Sequence, residues 1–325
     1  MKGRYAPSPT GPLHLGNART ALLAWLAARA AGSAFVMRIE DLDRPRIAPG
    51  ADKRLLDELL WLGIDWDEGP DLGGPAGSYR QSERTAFYDD AITRLLADGR
   101  AYLCSCSRAD VARAVTAPHA ADEEGPRYPG TCRGNDARTV TERAAAQGRR
   151  PSVRFDGRGE RVAFVDGVHG AVGGDGQVQV GQGDVGEVDD FVLRRADGVA
   201  SYQLAVVVDD AAMAIQQVVR GDDLLPSTPR QIALGRALGL GIPAFAHVPL
   251  VLSPGGERLA KRTRPASLAS LRAGGVSPEA VVGALGASAG LCPPGARLPA
   301  AALIAGFDLD RLPRAPVVIE DGALT

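Results

Sequence analysis

No stretch of this 325-residue chain is apolar and long enough to span a bilayer, and Met1-Lys2-Gly3-Arg4-Tyr5-Ala6-Pro7 lacks the apolar core of a signal peptide. A cytoplasmic address is therefore expected, with no membrane partner. Strong net charge is missing too. The 37 basic and 39 acidic residues leave a formal charge of -2, so no global basic field advertises a nucleic-acid partner, although clustered arginines could still build a local patch. Four cysteines are too few for the disulfide framework of a secreted protein of this length, and Cys104 and Cys106 stand one residue apart, a poor spacing for pairing. Aromatic residues make up only 5% of the chain, which leaves the glycine- and valine-rich stretch 156–189 with few landmarks.

What is present is enough apolar material, 45%, to bury one large domain with insertions. The alanine- and leucine-rich run Thr20 to Ala31 predicts a helix ending at Gly32, and Ala34 to Ile39 a buried strand. The opening thus reads loop, helix, strand, as in a nucleotide-binding α/β unit. Apolar spacings of three and four predict helices over Lys53 to Leu62 and Arg84 to Leu96, stopped by Gly63 and Gly99. An irregular stretch from Ala101 to about Arg150, with its own alanine-rich helix, reads as an insertion. Short strands follow, with alternation in Gln177-Val178-Gln179-Val180. A second α/β portion then offers Asp190 to Arg194 and Tyr202 to Val208 as strands and Thr228 to Leu238 as a helix. Beyond Leu252 come a glycine-rich loop, alanine-rich helices as far as Gly306 and a loosely organised end.

Pro7-Ser8-Pro9-Thr10-Gly11-Pro12-Leu13-His14-Leu15-Gly16-Asn17 lies between the first extended segment and the first helix. Glycines let a backbone approach phosphates, a helix N-terminus offers free N–H groups, and His14 can donate to a phosphoryl oxygen. The competing reading is an entry loop whose histidine merely caps the helix. Cys104-Ser105-Cys106 and Tyr128-Pro129-Gly130-Thr131-Cys132 supply three soft thiolates, a set that favours zinc with a fourth ligand, and His119 is the conventional candidate for that place. Cys292 reads as a core thiol. Asp41, Asp43 and Arg44 read as a surface ion-pair cluster, and Asp209, Asp210, Asp222 and Asp223 as turn residues without a catalytic role.

Arg4 to Asn17 closely resembles the first signature of class I aminoacyl-tRNA synthetases of the glutamate and glutamine branch, in which His-x-Gly holds ATP. Asn17 stands where a second histidine is usual. Ser253 to Arg262 resembles the partner lysine signature, with Arg258 and Ala260 replacing a lysine and a serine and Lys261 kept. The resemblance covers roughly Arg4 to Arg262. It implies a Rossmann-type, doubly wound parallel sheet with a zinc-binding insertion and a short helical C-terminal region: 1–100 and 190–252 as the two catalytic halves, 101–189 as the insertion, 253–325 as the lysine loop and helical remnant. It implies His14, Gly16, Asn17 and Lys261 as ATP-binding, with His14 and Lys261 catalytic. For glutamate it implies Arg4, Tyr5, Ala6, Pro7, Ser8, Glu40, Tyr202 and Arg220, with Arg4 meeting a carboxylate and Glu40 the ammonium group.

A narrower resemblance, to the glutamyl-queuosine tRNA(Asp) synthetases, makes Tyr128 the fourth zinc ligand beside Cys104, Cys106 and Cys132. The short segment after Arg262 leaves no room for a helical anticodon-binding region or β-barrels and points the same way. The expectation is a monomer that uses ATP, with Mg2+, to activate glutamate and passes it to queuosine in the anticodon loop of tRNA(Asp), its Zn2+ being structural. The alternatives are a short synthetase charging the 3′ end of tRNA(Glu) and a catalytically silent tRNA-binding module.

Overall fold

The computed structural model describes residues 1–114, 127–173, 186–252 and 267–319. It begins with strand β1 (Gly3–Tyr5), helix α1 (Leu15–Ala30) and strand β2 (Phe35–Met37), the loop, helix and strand expected of the opening, with α1 starting earlier than its alanine run. Helices α2 (Ala51–Trp61) and α3 (Thr85–Ala97) follow. Gly63 and Gly99, which come just after them, have φ of 77° and 62°, the left-handed conformation that lets a helix terminate and that glycine adopts without strain.

The insertion carries β3 (Ala101–Cys104), α4 (Arg108–Ala114), α5 (Ala137–Ala146) and β4 (Ser152–Phe155). A hairpin, β5 (Phe164–Asp166) and β6 (Gly170–Val172), precedes β7 (Val192–Arg194), α6 (Tyr202–Ala212), β8 (Gln217–Gly221), α7 (Thr228–Ala237) and β9 (Ala244–Val248). The described part ends with β10 (Val251–Leu252), α8 (Leu268–Ala273), α9 (Pro278–Ser288), a 3-10 helix over Ala300–Gly306 and β11 (Val317–Val318). The expected alternation at 177–180 lies outside the described residues.

Six strands form the main sheet in the order β2-β1-β8-β9-β5-β6; its pairings are parallel except for the β5/β6 hairpin. Side chains alternate between its faces with the period of two that a strand imposes. Phe35, Met37, Val219 and Ala246 join α1, α2 and α9 in one core, while Val36, Val218 and Phe245 join α3, α6 and α7 in another. The sheet is thus covered on both sides, the doubly wound arrangement expected. A separate three-stranded sheet, β3-β4-β7, is antiparallel and supports the insertion.

Three segments depart from the sequence reading. Tyr202 to Val208, expected as a strand, opens helix α6, capped by the Ser201 hydroxyl, which accepts from the Leu204 N–H at 3.3 Å. Its three consecutive valines suit a strand, but burial on several sides of the helix erases the 3.6-residue signal, and tertiary packing overrides propensity. Val192–Arg194 pairs with β4 of the insertion rather than with the parallel sheet. The end is not loose throughout, since β11 pairs in parallel with β10.

Candidate active site and metal centre

The parallel strands deliver their chemistry at their carboxyl ends, beside the point where the strand order reverses between β1 and β8. β1 leads into the turn that ends at His14, the N-cap of α1. The Asn17 N–H donates to His14 Nδ1 at 3.3 Å, so the histidine does cap its helix. That role leaves Nε2 carrying the proton in the neutral ring and free to donate elsewhere. Burial pushes the His14 pKa down, which favours the neutral form. The two readings of this residue are therefore compatible. A Cβ on Gly16 would come within 3.1 Å of His14 Nδ1, so glycine there keeps the ring in place.

The turn is held from several sides. Glu58 of α2 accepts the Leu13 N–H at 3.0 Å, and the Tyr5 hydroxyl donates to the Asn17 carbonyl at 3.2 Å. Buried Arg19 reaches Ser288 and the Pro249 carbonyl, tying α1 to the chain that enters β10. Lys261 lies outside the described residues, as does His119. The described flanks of the lysine signature both meet the histidine turn: Val251 packs beside Gly16, and Ser267 forms a bridge with His14.

Around the expected amino-acid pocket, Arg4, Glu40, Tyr202 and Arg220 act electrostatically on one another, so the fold brings together residues spread over more than half the sequence. Ser8, Glu40 and Tyr202 line a cavity of about 1090 Å3, with Arg4 and Arg220 buried. The Tyr5 side chain packs in the core, Pro7 gives its carbonyl to the Glu40 N–H at 3.0 Å, and Ala6 is half-buried between them.

A buried ionic network lies next to these groups. Arg38 donates to Asp210 at 2.6 Å and to Glu40 at 3.1 Å, and Arg4 Nε reaches Asp210 at 3.4 Å. Asp209 takes Arg84 Nε at 2.6 Å, the Tyr88 hydroxyl at 2.8 Å and Gln81 at 3.0 Å. Asp209 and Asp210, expected as turn residues, instead sit buried in the last turns of α6 and fix the arginines around them. Burial raises the Glu40 carboxyl, against the pull of Arg38 and Arg4. Of the expected surface cluster, Asp43 does pair, but with Arg46 and Arg195 rather than Arg44, and Asp41 accepts from Ser82.

At the far end of the cavity, Cys104, Cys106 and Cys132 converge, their sulfurs all within 4.8 Å of one another. Cys106 and Cys132 are 3.6 Å apart, and the Tyr128 oxygen is 3.3 Å from Cys104 and 3.6 Å from Cys106. With Zn–S about 2.3 Å and Zn–O about 2.0 Å, a tetrahedral ion sets S···S at about 3.8 Å and S···O at about 3.5 Å, so the donor set fits. The Cys132 N–H donates to the Tyr128 oxygen at 2.8 Å, leaving that oxygen as an acceptor. Burial raises the Cys106 thiol to about 11; it raises Cys132 too, but hydrogen bonds from Tyr128 and Ser105 outweigh it and bring Cys132 to about 7. Burial and the thiols push Tyr128 up, an order that a dication at the centre would reverse. Cys292 packs against the core as expected.

A Rossmann-type sheet with a histidine turn at its first helix and a charged cavity at the strand ends defines a class I synthetase-type catalytic unit. Residues 1–297 match the family described as tRNA synthetases class I (E and Q), catalytic domain, and the chain belongs to that family. It is 54% identical over 319 residues to the "Glutamyl-Q tRNA(Asp) synthetase" of Symbiobacterium thermophilum, covering 98% of this chain and 95% of the relative. To "Glutamate--tRNA ligase 1" of Halorhodospira halophila it is 44% identical, covering 97% of this chain but 64% of that protein. Among solved structures it resembles glutamate-tRNA synthetase from Elizabethkingia anophelis, with TM-score 0.81 and 29% identity over 100% of this chain and 69% of the other.

Proposed function

We propose that this protein activates glutamate with ATP and transfers it to queuosine at the wobble position of tRNA(Asp). The observation that carries this reading is the likeness to a glutamyl-Q tRNA(Asp) synthetase, 54% identical over 98% of this chain, against 44% over 97% for a glutamate--tRNA ligase. The cavity suits a large second substrate, since it runs from Glu40 and Tyr202 to Cys106 and Tyr128. Its wall carries six arginines (46, 108, 149, 154, 195 and 230), enough for phosphate contacts, interleaved with five carboxylates that favour a specific seat over general polyanion binding.

In the first step a glutamate α-carboxylate oxygen attacks the ATP α-phosphate, forming glutamyl-adenylate and releasing pyrophosphate. His14 donates from Nε2 to a phosphoryl oxygen, and the free N–H groups of α1 face the same charge. Lys261 neutralises the migrating phosphates; Mg2+, when bound with ATP, supplies further charge. Arg4 and Arg220 grip the glutamate side chain, Glu40 holds its ammonium group, and the backbone of Tyr5, Ala6, Pro7 and Ser8 shapes the near wall. In the second step a queuosine hydroxyl attacks the acyl carbon, an ester forms and AMP leaves. Cys104, Cys106, Cys132 and Tyr128 hold a structural Zn2+ that clamps the insertion. The protein acts as a cytoplasmic monomer. Radiolabelled glutamate offered with ATP to tRNA with and without queuosine tests the target: label confined to queuosine-containing tRNA(Asp) is expected, and label on tRNA(Glu) would make it a short glutamyl-tRNA synthetase.

A further inference from the structure

Arg220 is backed by a buried pair that the adenylate chemistry leaves unused. Asp166 ends β5 and His247 lies in β9, and both are almost fully buried. His247 Nδ1 lies 2.6 Å from the Asp166 carboxylate, and its Nε2 accepts from Arg220 Nε at 3.0 Å. Because a guanidinium has only donors, Nε2 must be the acceptor, and the single ring proton sits on Nδ1 and goes to Asp166. Asp166 is itself fixed by the N–H groups of Val168, His169 and His247. Arg220 also donates to Gln231 at 2.8 Å and Thr228 at 2.8 Å, and its Nη1 lies 3.4 Å from the Tyr202 hydroxyl.

The two pocket arginines therefore differ in charge balance. Arg4 touches the carboxylate of Asp210. The direct partners of Arg220 among the described residues are an imidazole, two hydroxyls, an amide and the Leu224 carbonyl, all neutral. A carboxylate placed directly against Arg220 would cancel its charge. An imidazole interposed between Arg220 and Asp166 supplies direction while leaving the charge for an incoming anion.

We propose, resting on the glutamate-activating reading above, that His247 and Asp166 are positioning residues that hold Arg220 as a pocket cation with no carboxylate in direct contact among the described residues. They thereby make the site select a carboxylate side chain over an amide. Asn and Gln separate this role from packing, because an Asn amide reaches roughly where Nδ1 sits and a Gln amide where Nε2 sits. His247→Asn keeps a donor for Asp166 and loses the acceptor for Arg220, and His247→Gln keeps that acceptor.

The test is glutamate-dependent ATP–pyrophosphate exchange, with tRNA present, alongside calorimetric glutamate binding. His247→Asn is expected to raise the glutamate KM and Kd about tenfold or more, the loss of one charged hydrogen bond, while kcat and the ATP KM stay within about twofold. Its preference for glutamate over glutamine falls, and His247→Gln recovers most of both. Unchanged glutamate affinity in His247→Asn overturns the proposal. So does a parallel rise of both KM values in the two variants with a matching loss of melting temperature, which indicates packing alone. Wild-type protein without glutamate-dependent exchange overturns the underlying functional reading, and the inference with it.

Discussion

Beside the cavity, Arg4, Arg38 and Arg84 face Glu40, Asp209 and Asp210, three charges of each sign, all closely paired and, apart from Glu40 at the cavity wall, buried. In the insertion, by contrast, three thiols and a phenol converge, and the Arg154 guanidinium lies over the face of the Tyr128 ring, 3.8 Å from its centre, rather than among the donor atoms. The first group is organised by the chain's own charges. The second brings donor atoms to tetrahedral spacing in a way that hydrophobic packing alone does not require, and its burial opposes the ionised forms that a metal needs. One region is balanced by its own ion pairs; the other offers a donor set that a metal ion would complete.

The largest effect is expected at the thiol cluster. Structural zinc contributes apparent binding energies of roughly 10–16 kcal/mol in small domains, and these depend on every ligand. Metal analysis of the purified protein should find one equivalent per chain, lost in Cys132→Ser, while glutamate binding to the Rossmann pocket persists. Metal-free wild-type protein with an equally resistant insertion would erase the contrast.

The next tests break the self-sufficient network. Asp209→Ala strands the charge of Arg84 and removes the partner of Tyr88 and Gln81, all buried. Breaking a buried ion pair costs about 3–5 kcal/mol, readable as a drop in the urea midpoint. A loss below about 1 kcal/mol would mean that water or rearranged arginines replace the carboxylate.

His247 sharpens the comparison through pH. Burial pushes its pKa down to about 4 against the pull of Asp166, so the folded protein holds it neutral where the unfolded chain, at 6.5, would bind a proton. Stability is therefore lost as pH falls from 6.5 to 4, by about 3 kcal/mol in full. Burial raises Asp166 as well, but hydrogen bonds led by His247 outweigh it and hold it below its ordinary value, adding a further loss at lower pH. Denaturation of wild type and His247→Gln across this range isolates the histidine share. Parallel curves would refute it.

Much of this could be read from the sequence wherever local rules suffice. Gly63 and Gly99 stop helices because their left-handed backbone is a local property, and the cysteine cluster is visible in residue spacing. The strands that carry Arg220 and His247 are five residues each, Gln217–Gly221 and Ala244–Val248, too short for a period to emerge and interrupted by the polar groups that matter. Asp166, Asp209 and Asp210 escaped because a carboxylate's partners, 172 residues away for Arg38 and Asp210 and 81 for His247 and Asp166, are set by topology. A lone histidine in the apolar run Ala244-Phe245-Ala246-His247-Val248 was the one available signal.

The smallest predicted effect concerns the helix that the sequence disguised as a strand. Ser201 caps α6 through the Leu204 N–H, and the next residue, Tyr202, lines the cavity beside Arg220. Removing an N-cap hydroxyl costs about 1 kcal/mol. Ser201→Ala should therefore lower the urea midpoint slightly. If the ionic contacts of Asp209 and Asp210 hold the far end of α6, glutamate affinity should change by less than about twofold, because Tyr202 keeps its place beside Arg220. A glutamate KM that rises with the loss of the cap would show the opposite dependence: α6 would need its local signal as well as its buried charges, and the pocket would be less self-sufficient than its ion pairs imply.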